Sequence, residues 1–502
     1  MSVLPSRLDT RSPAYSEARE TMLGRLAEID EQHAKALAGG GERYVERHRS
    51  RGGLLARERV ELLLDEGSPF LELSTLAAWG SDFHVGASVV TGVGVVSGVE
   101  CVIVANDPTV RGGSSNPWSL KKSQRAGEIA ERNRMPMISL VESGGADLPT
   151  QKEIFIPGGG TFRHLTRLSR AGIPTIALVF GNSTAGGAYV PGMSDHVVMV
   201  RDRAKVSGLA DHLAEDEHDA LRIGRRIVAR LNHTKAGPAP RAAAPEPVHA
   251  SEELLGVMPP DLKIPVDPRE VIARIVDGSE FDEFKPSYGA GLVTGLATLH
   301  GYPVGVLAND NGVLFSEEAQ KAAQFIQLAN RSDTPLIFLH NTTGYMVGAE
   351  YEQGGIIKHG SMMINAVSNS TVPHFSVLIG ASYGAGHYGM CGRAYDPRFL
   401  FAWPSARSAV MGPRQLAEVV SLVSRASAAK KGHPYDDAQD AAMRELIENQ
   451  IEAESLPMFL SGRVYDDGVI DPRDTRTVLG LCLSFAHNAP VAGTDAFGVF
   501  RM

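Results

Sequence analysis

The capacity for chemistry in this 502-residue chain is concentrated in four short glycine-rich turns. Ser143-Gly144-Gly145-Ala146 and Thr184-Ala185-Gly186-Gly187-Ala188 stand in its first half, and Thr342-Thr343-Gly344-Tyr345 and Tyr383-Gly384-Ala385-Gly386 in its second. Each follows a short apolar run that reads as a buried strand. Small residues where a helix begins let a ligand oxygen approach free backbone N–H groups, and the helix dipole favours negative charge there. Two such turns facing one another make an oxyanion hole, from which loss of one donor costs about 10²–10³ in rate. A reaction run in this way needs no ionisable catalyst. That suits the absence of GxSxG, HExxH and GxxxxGKS/T strings, and the wrong third spacing of Gly92-Val93-Gly94 with Gly98 for a dinucleotide loop. Glycine at a strand–helix junction also serves close packing alone, but four turns in two matched pairs weigh toward function.

The elements that position these turns repeat. Val102-Ile103-Val104, Met137 to Val141 and Thr175 to Val179 are β-branched runs separated by helical stretches such as Lys121 to Asn133, which predicts βα units with buried strands. Val104-Ala105-Asn106-Asp107 returns as Leu307-Ala308-Asn309-Asp310, Met135 to Ile138 as Thr334 to Ile337, and Ile173-Pro174 as Val372-Pro373. Ser143-Gly144 pairs with Thr343-Gly344, and Thr184-Ala185-Gly186 with Gly384-Ala385-Gly386. The interval of about 200 residues is domain-scale, far from the 20–50 of a solenoid. We therefore expect an α/β protein of two copies of one fold. Residues 1–86 form a helical leader, with helices over Ala18 to Ala38 and Leu55 to Asp65. Residues 87–234 form the first domain, 235–260 a Pro/Ala-rich linker, and 261–502 the second domain.

Composition narrows the class. Lys+Arg 49 against Asp+Glu 58 gives a formal charge of -9, with no electrostatic drive toward nucleic acid. No apolar run approaches the length of a membrane-spanning helix. Three scattered cysteines, Cys101, Cys391 and Cys482, allow neither a disulfide framework nor a paired zinc site, which fits a cytoplasmic protein.

The strings Val141 to Pro149, Thr184 to Pro191, Gly344 to Gly348 and Ser382 to Tyr395 closely resemble the carboxyltransferase (beta) subunits of biotin-dependent acyl-CoA carboxylases. The likeness runs over nearly the whole chain. Leu148-Pro149 after Gly-Gly-Ala, the string Asn341 to Gly348 and the string Met390 to Tyr395 look like the methylcrotonyl-CoA and geranyl-CoA branch. The resemblance implies two tandem crotonase-like ββα spiral domains and transfer of CO₂ from carboxybiotin to the enolate of a coenzyme A thioester. One hole, for the thioester oxygen, is then expected at Ala146 and Gly186-Gly187, with Gly145 beside it. The other, for the biotin ureido oxygen, is expected at Gly344-Tyr345 and Ala385-Gly386, with Gly384 beside it.

Further expectations follow from the same resemblance. With no Met-Lys-Met biotinylation string and no ATP loop, biotin must arrive on a partner, a biotinylated alpha subunit with biotin carboxylase and carrier domains. The family's assembly is a hexamer, a trimer of dimers that pair the first domain of one chain with the second of its neighbour. Lys121, Lys122 and Arg125 either meet CoA phosphates or form a solvated helix face. His387, where relatives often carry Asn, reads as a structural histidine in preference to a proton relay. A decarboxylase running the same two holes in reverse, and a non-catalytic scaffold protomer, are the alternative functions.

Two places depart from the family pattern. Pro157-Gly158-Gly159-Gly160 replaces a longer charged and aromatic segment before a helix expected to start near Thr161, and a smaller loop would leave room for a longer or branched acyl chain. Val206 runs directly into Ser207, where relatives carry an additional strand–turn–helix piece. We expect a separation there much larger than the ~3.8 Å between Cα atoms joined by a trans peptide.

Overall fold

The computed structural model describes residues 2–201, 208–241, 244–310, 312–432 and 434–502. The Val206–Ser207 junction lies outside the described residues.

Two sheets are built to one plan. In the first, the strands Phe70–Leu73, Val89–Val96, Val99–Asn106, Met137–Ser143, Thr175–Ser183, His196–Val200 and His212–Ala214 lie side by side in chain order. Neighbours among the first three are antiparallel, and from the third onward each strand runs parallel to the next. In the second sheet, Glu280–Glu283, Leu292–Leu299, Tyr302–Asn309, Leu336–Thr342, His374–Tyr383 and Phe399–Ala402 repeat that order and polarity. Each antiparallel hairpin closes through a two-residue turn with both residues left-handed, Ser97-Gly98 (φ 50° and 78°) and His300-Gly301 (φ 48° and 77°). That turn matches the twist of the paired strands and so sets their register.

The parallel strands are joined by helices that cover the sheet. Pro117–Asn133 and Ser316–Arg331 are equivalent, and each buries one lysine. Lys122 donates to the carbonyls of Gly86 (3.2 Å) and Val89 (2.8 Å), and Lys321 to those of Gly289 (3.3 Å) and Leu292 (2.7 Å), so each ammonium ties its helix to the start of the hairpin. A lysine spent in this way is a structural clamp.

The halves are not independent bodies. One apolar core runs through Val89, Val102 and Ile129 of the first half, Leu254, Val293 and Phe375 of the second, and Leu483 of the last helix. The leader crosses over, since Ser2–Val3 pairs with Glu280–Glu283 and the helix Pro13–Leu37 buries Met22 and Leu26 in the shared core. The Pro/Ala-rich stretch acts as a linker only at its beginning. Leu254, Leu255 and Met258 are buried in that same core, because an apolar run at its end has two sheets to pack against. The helices Pro413–Lys431 and Asp437–Ser455 form an antiparallel pair that the first half lacks among the described residues.

Candidate functional site

In both halves the turn follows a β-bulge. The register shifts between Val141 and Ser143 in one sheet and between His340 and Thr342 in the other, after which Ser143 pairs Ser183 and Thr342 pairs Ser382. Ser143 is therefore equivalent to Thr342, and Gly187 to Gly386. The pairing expected from sequence was one residue out at both turns, because glycines aligned by identity hide a shift that only strand register reveals. A hydroxyl at each bulge receives an amide: Gly145 N–H donates to Ser143 Oγ and Gly344 N–H to Thr342 Oγ1, both at 3.1 Å. Gly145 (φ 89°) and Gly344 (φ 115°) are both in the left-handed region that favours glycine.

These bonds decide which amides remain for a ligand. At the first turn, Gly144 N–H goes to Gly112 O (2.9 Å), Asp147 N–H to Ser115 O (2.9 Å) and Gly187 N–H to Thr184 O (3.0 Å). The N–H groups of Ala146 and Gly186 have no acceptor among the described residues. Ala146 and Gly186 thus keep their amides uncommitted, whereas the Gly187 amide is spent on Thr184. A Cβ on Gly187 would stand 3.3 Å from Ser143 Cβ. In the second turn Ala385 and Gly386 likewise have amides without an acceptor among the described residues. Gly386 is tighter, since a Cβ there would meet Gly344 Cα at 2.8 Å and Thr342 Oγ1 at 2.9 Å. Gly384 (φ 54°) turns the chain into this segment, and Tyr345 follows Gly344 with its phenol buried and its Oη unpartnered. Burial raises the Tyr345 pKa, so the phenol stays protonated and can donate.

A cavity of about 340 Å³ opens beneath the first turn. Ser143 and Gly187 stand at one side of it, Val104, Met137 and Val141 form its floor, and Gly160 and Leu165 come from the helix Gln151–Arg170. Pro157-Gly158-Gly159-Gly160 is therefore helical and not the loop expected, the helix beginning at Gln151 instead of near Thr161. A helix tolerates these residues at the expense of intrinsic stability when packing holds it. The missing side chains open the cavity, as a small residue there would.

The basic residues read from the sequence fare differently. Lys122 is 1% exposed and committed to two carbonyls, and burial lowers its pKa to about 8. Arg125 is buried and holds Asp467 at 2.7 Å (Nε) and 2.9 Å (Nη2). Neither can turn to an external phosphate, and only Lys121, stacked over Trp118 at 4.7 Å, faces outward. A different basic site was missed. Arg47, His48, Arg51 and Arg111 line a recess of about 450 Å³ beside Gly112, the residue that accepts Gly144 N–H. Arg47 and Arg51 have no acidic partner among the described residues. The run Arg43 to Arg51 is visible in the sequence, yet its neighbour Arg111 comes from a distant loop.

Each half of this duplicated ββα spiral thus carries backbone amides without an acceptor among the described residues, and in the first half the turn that bears them borders a cavity. The chain belongs to the carboxyl transferase domain family, whose pattern it matches over residues 47–207 and 203–499. It is 69% identical over 530 aligned residues to a probable biotin-dependent acyl-coenzyme A carboxylase beta2 subunit of Mycobacterium tuberculosis, with 100% of both chains covered. To the biotin-dependent 3-methylcrotonyl-coenzyme A carboxylase beta1 subunit of the same organism it is 46% identical, with 98% of each covered. The crystal structure of the geranyl-CoA carboxylase beta subunit of P. aeruginosa has the same fold, at a TM-score of 0.92 and 41% identity over 99% of each chain. Both spiral domains are therefore of the crotonase-like carboxyltransferase type. No helix among the described residues is long and apolar enough to cross a membrane, and no cluster of metal-ligating side chains occurs among them.

Proposed function

We propose that this chain is the carboxyltransferase subunit of a biotin-dependent acyl-CoA carboxylase, acting on a branched enoyl-CoA of the methylcrotonyl kind. The observation that carries the reading is the pair of unpartnered amides, Ala146 and Gly186, next to a cavity of acyl size. They hold the thioester oxygen as it becomes an enolate, and a preorganised pair of donors does this without reorganisation cost. The relatives' names, and the likeness to a geranyl-CoA enzyme, support the acyl class. Gly160 favours a chain longer than a short straight acyl group. The recess of Arg47, Arg51 and Arg111 is the better candidate for the CoA phosphates.

The second turn has the features that a ureido group requires. Gly386 is seated so closely on Gly344 and Thr342 that no side chain fits at its position, and the buried Tyr345 Oη lacks a partner among the described residues. Ala385 and Gly386 would hold the ureido oxygen, with Gly344 and Tyr345 beside it. Biotin, when bound, supplies the carboxyl group and afterwards a nitrogen basic enough to take the substrate proton, so this chain's own task is to orient both partners and hold charge on oxygen.

The assembly we propose is a hexamer, a trimer of dimers that juxtapose the first half of one chain with the second half of its neighbour, served by a biotinylated alpha subunit in the cytoplasm. Large apolar side chains stand exposed beside each turn, Leu148, Phe155 and Ile156 by the first and Val347 and Ile357 by the second, and such patches favour burial against a partner. The test is a carboxylation assay with the biotinylated partner and ATP across methylcrotonyl-, geranyl-, propionyl- and acetyl-CoA. Preference for the branched enoyl thioesters is expected, and strict preference for propionyl-CoA overturns the substrate reading.

A further inference from the structure

Behind the second turn lie three polar side chains, of which the first half keeps only the serine. His340 and Ser382 are fully buried on adjacent strands, and His387 follows Gly386. Ser382 Oγ is 2.9 Å from His340 Nδ1 and 2.8 Å from His387 Nδ1. These two rings are the only partners of Ser382 Oγ among the described residues. A serine has one hydroxyl hydrogen, so it donates to at most one imidazole and accepts from the other. Arg393 decides which, because its backbone N–H reaches His387 Nε2 at 3.3 Å and makes that nitrogen an acceptor. The hydrogen-bond pattern then assigns a single direction. His387 donates from Nδ1 to Ser382, Ser382 donates to His340 Nδ1, and His340 carries its proton on a buried Nε2. The anchor extends further. Arg393 Nη1 donates to Asp467 at 3.2 Å, and Asp467 also holds Arg125 from the first half's helix.

We propose that His387 is a positioning residue for the second hole: bonded to Ser382 and to the Arg393 amide, it fixes the segment Gly384–Gly389 so that the amides of Ala385 and Gly386 keep one direction toward the biotin ureido oxygen. This rests on the carboxyltransferase reading above. A six-residue helical segment has too few internal hydrogen bonds to hold its own orientation, so an external tie decides it. The ring is also wedged against Gly392, where any Cβ would collide with it, which leaves His387 a single seat.

The full chain is tested as wild type, His387→Asn, His387→Leu and Ser382→Ala, in the reverse direction with free biotin and carboxylated methylcrotonyl-CoA. In that direction the carboxyl group leaves carbon for the ureido nitrogen, and the nitrogen's proton passes to the substrate carbon. We expect His387→Leu to lower kcat by about tenfold or more and to raise KM for biotin, while methylcrotonyl-CoA affinity measured by calorimetry stays within about twofold. His387→Asn, whose amide can still donate to Ser382, should recover most of the activity. Nitrogen-15 spectra of histidine-labelled wild type, read without substrate, should show His387 protonated at Nδ1 and His340 at Nε2. Wild-type kinetics in His387→Leu, a loss that Asn does not rescue, or the opposite tautomers overturns the proposal. Should His387→Leu not fold, Ser382→Ala removes one oxygen and is read by the same criteria. A wild-type chain that transfers carboxyl to no acceptor overturns the functional reading instead.

Discussion

The two halves place the same backbone turn on different supports. Val141, Ser183 and Ala188 in the first half occupy the positions of His340, Ser382 and His387 in the second. Ser183 Oγ is buried without a partner, whereas Ser382 Oγ meets two imidazoles. The first turn borders a cavity, and a bound acyl chain would orient its own thioester there. The second is built solid, with Gly386 against Gly344 and a hydrogen-bonded chain behind it. Duplication supplied two like turns, and the residues around them left one beside an apolar cavity and the other on a hydrogen-bonded support.

The sharpest way to break the second support is at its anchor. Asp467 is fully buried between Arg125 and Arg393, whose charges hold its carboxyl down at about 2. Asp467→Asn leaves two guanidinium groups without their counter-charge and should cost about 3–5 kcal/mol in chemical denaturation. A change below about 1 kcal/mol would show that the anchor is dispensable.

Next comes the same substitution in both turns. Gly386→Ala places a methyl 2.8 Å from backbone and should lower kcat by about 10²-fold, whereas Gly187→Ala, at 3.3 Å from Ser143, should cost about tenfold or less. Gly187→Val should abolish turnover with assembly retained, because its larger side chain fills the cavity mouth. Equal losses for the two alanine variants would erase the distinction between an open and a solid site.

Gly160 sharpens the comparison from the acyl side. A Cβ there lies 3.3 Å from Gln124 Nε2, so Gly160→Leu must project into the cavity or push that amide aside. Activity on geranyl-CoA should fall about tenfold more than activity on methylcrotonyl-CoA, a difference of about 1.4 kcal/mol. Parallel losses would place the acyl chain elsewhere.

The smallest expected effect is on the pH dependence of stability. Burial pushes the His387 imidazole down to about 4, from an ordinary value of 6.5. Between these values the unfolded chain binds a proton that the native one refuses, so this contribution is complete above pH 6.5 and is lost as the pH falls toward 4. Denaturation midpoints should decline over that window, and less steeply in His387→Asn. An unchanged slope in the variant would place the titrating group elsewhere.

What could be read from sequence was whatever short segments determine. The buried strands, the helix over Lys121 to Asn133, the duplication and the four glycine turns all announce themselves within a few residues, because apolar periodicity and glycine act locally. The turns that carry the Ala146 and Gly186 amides stand out for the same reason. Yet the sequence could not tell that Gly187 N–H is already spent on Thr184, since that depends on how the turn closes.

Only the tertiary structure decided the rest. Lys122 and Arg125 looked like a cationic helix face, and became a clamp on Gly86 and Val89 and the partner of Asp467, a residue 342 positions away. The segment Pro157 to Gly160 looked like a loop, and packing made it a helix. The stretch 235–260 looked like a linker, and two sheets buried Leu254, Leu255 and Met258 near its end. Whether a charge, a glycine or a histidine is spent on structure or left for a ligand is settled by which partners burial brings within hydrogen-bond distance, and those partners come from chain segments far apart in sequence.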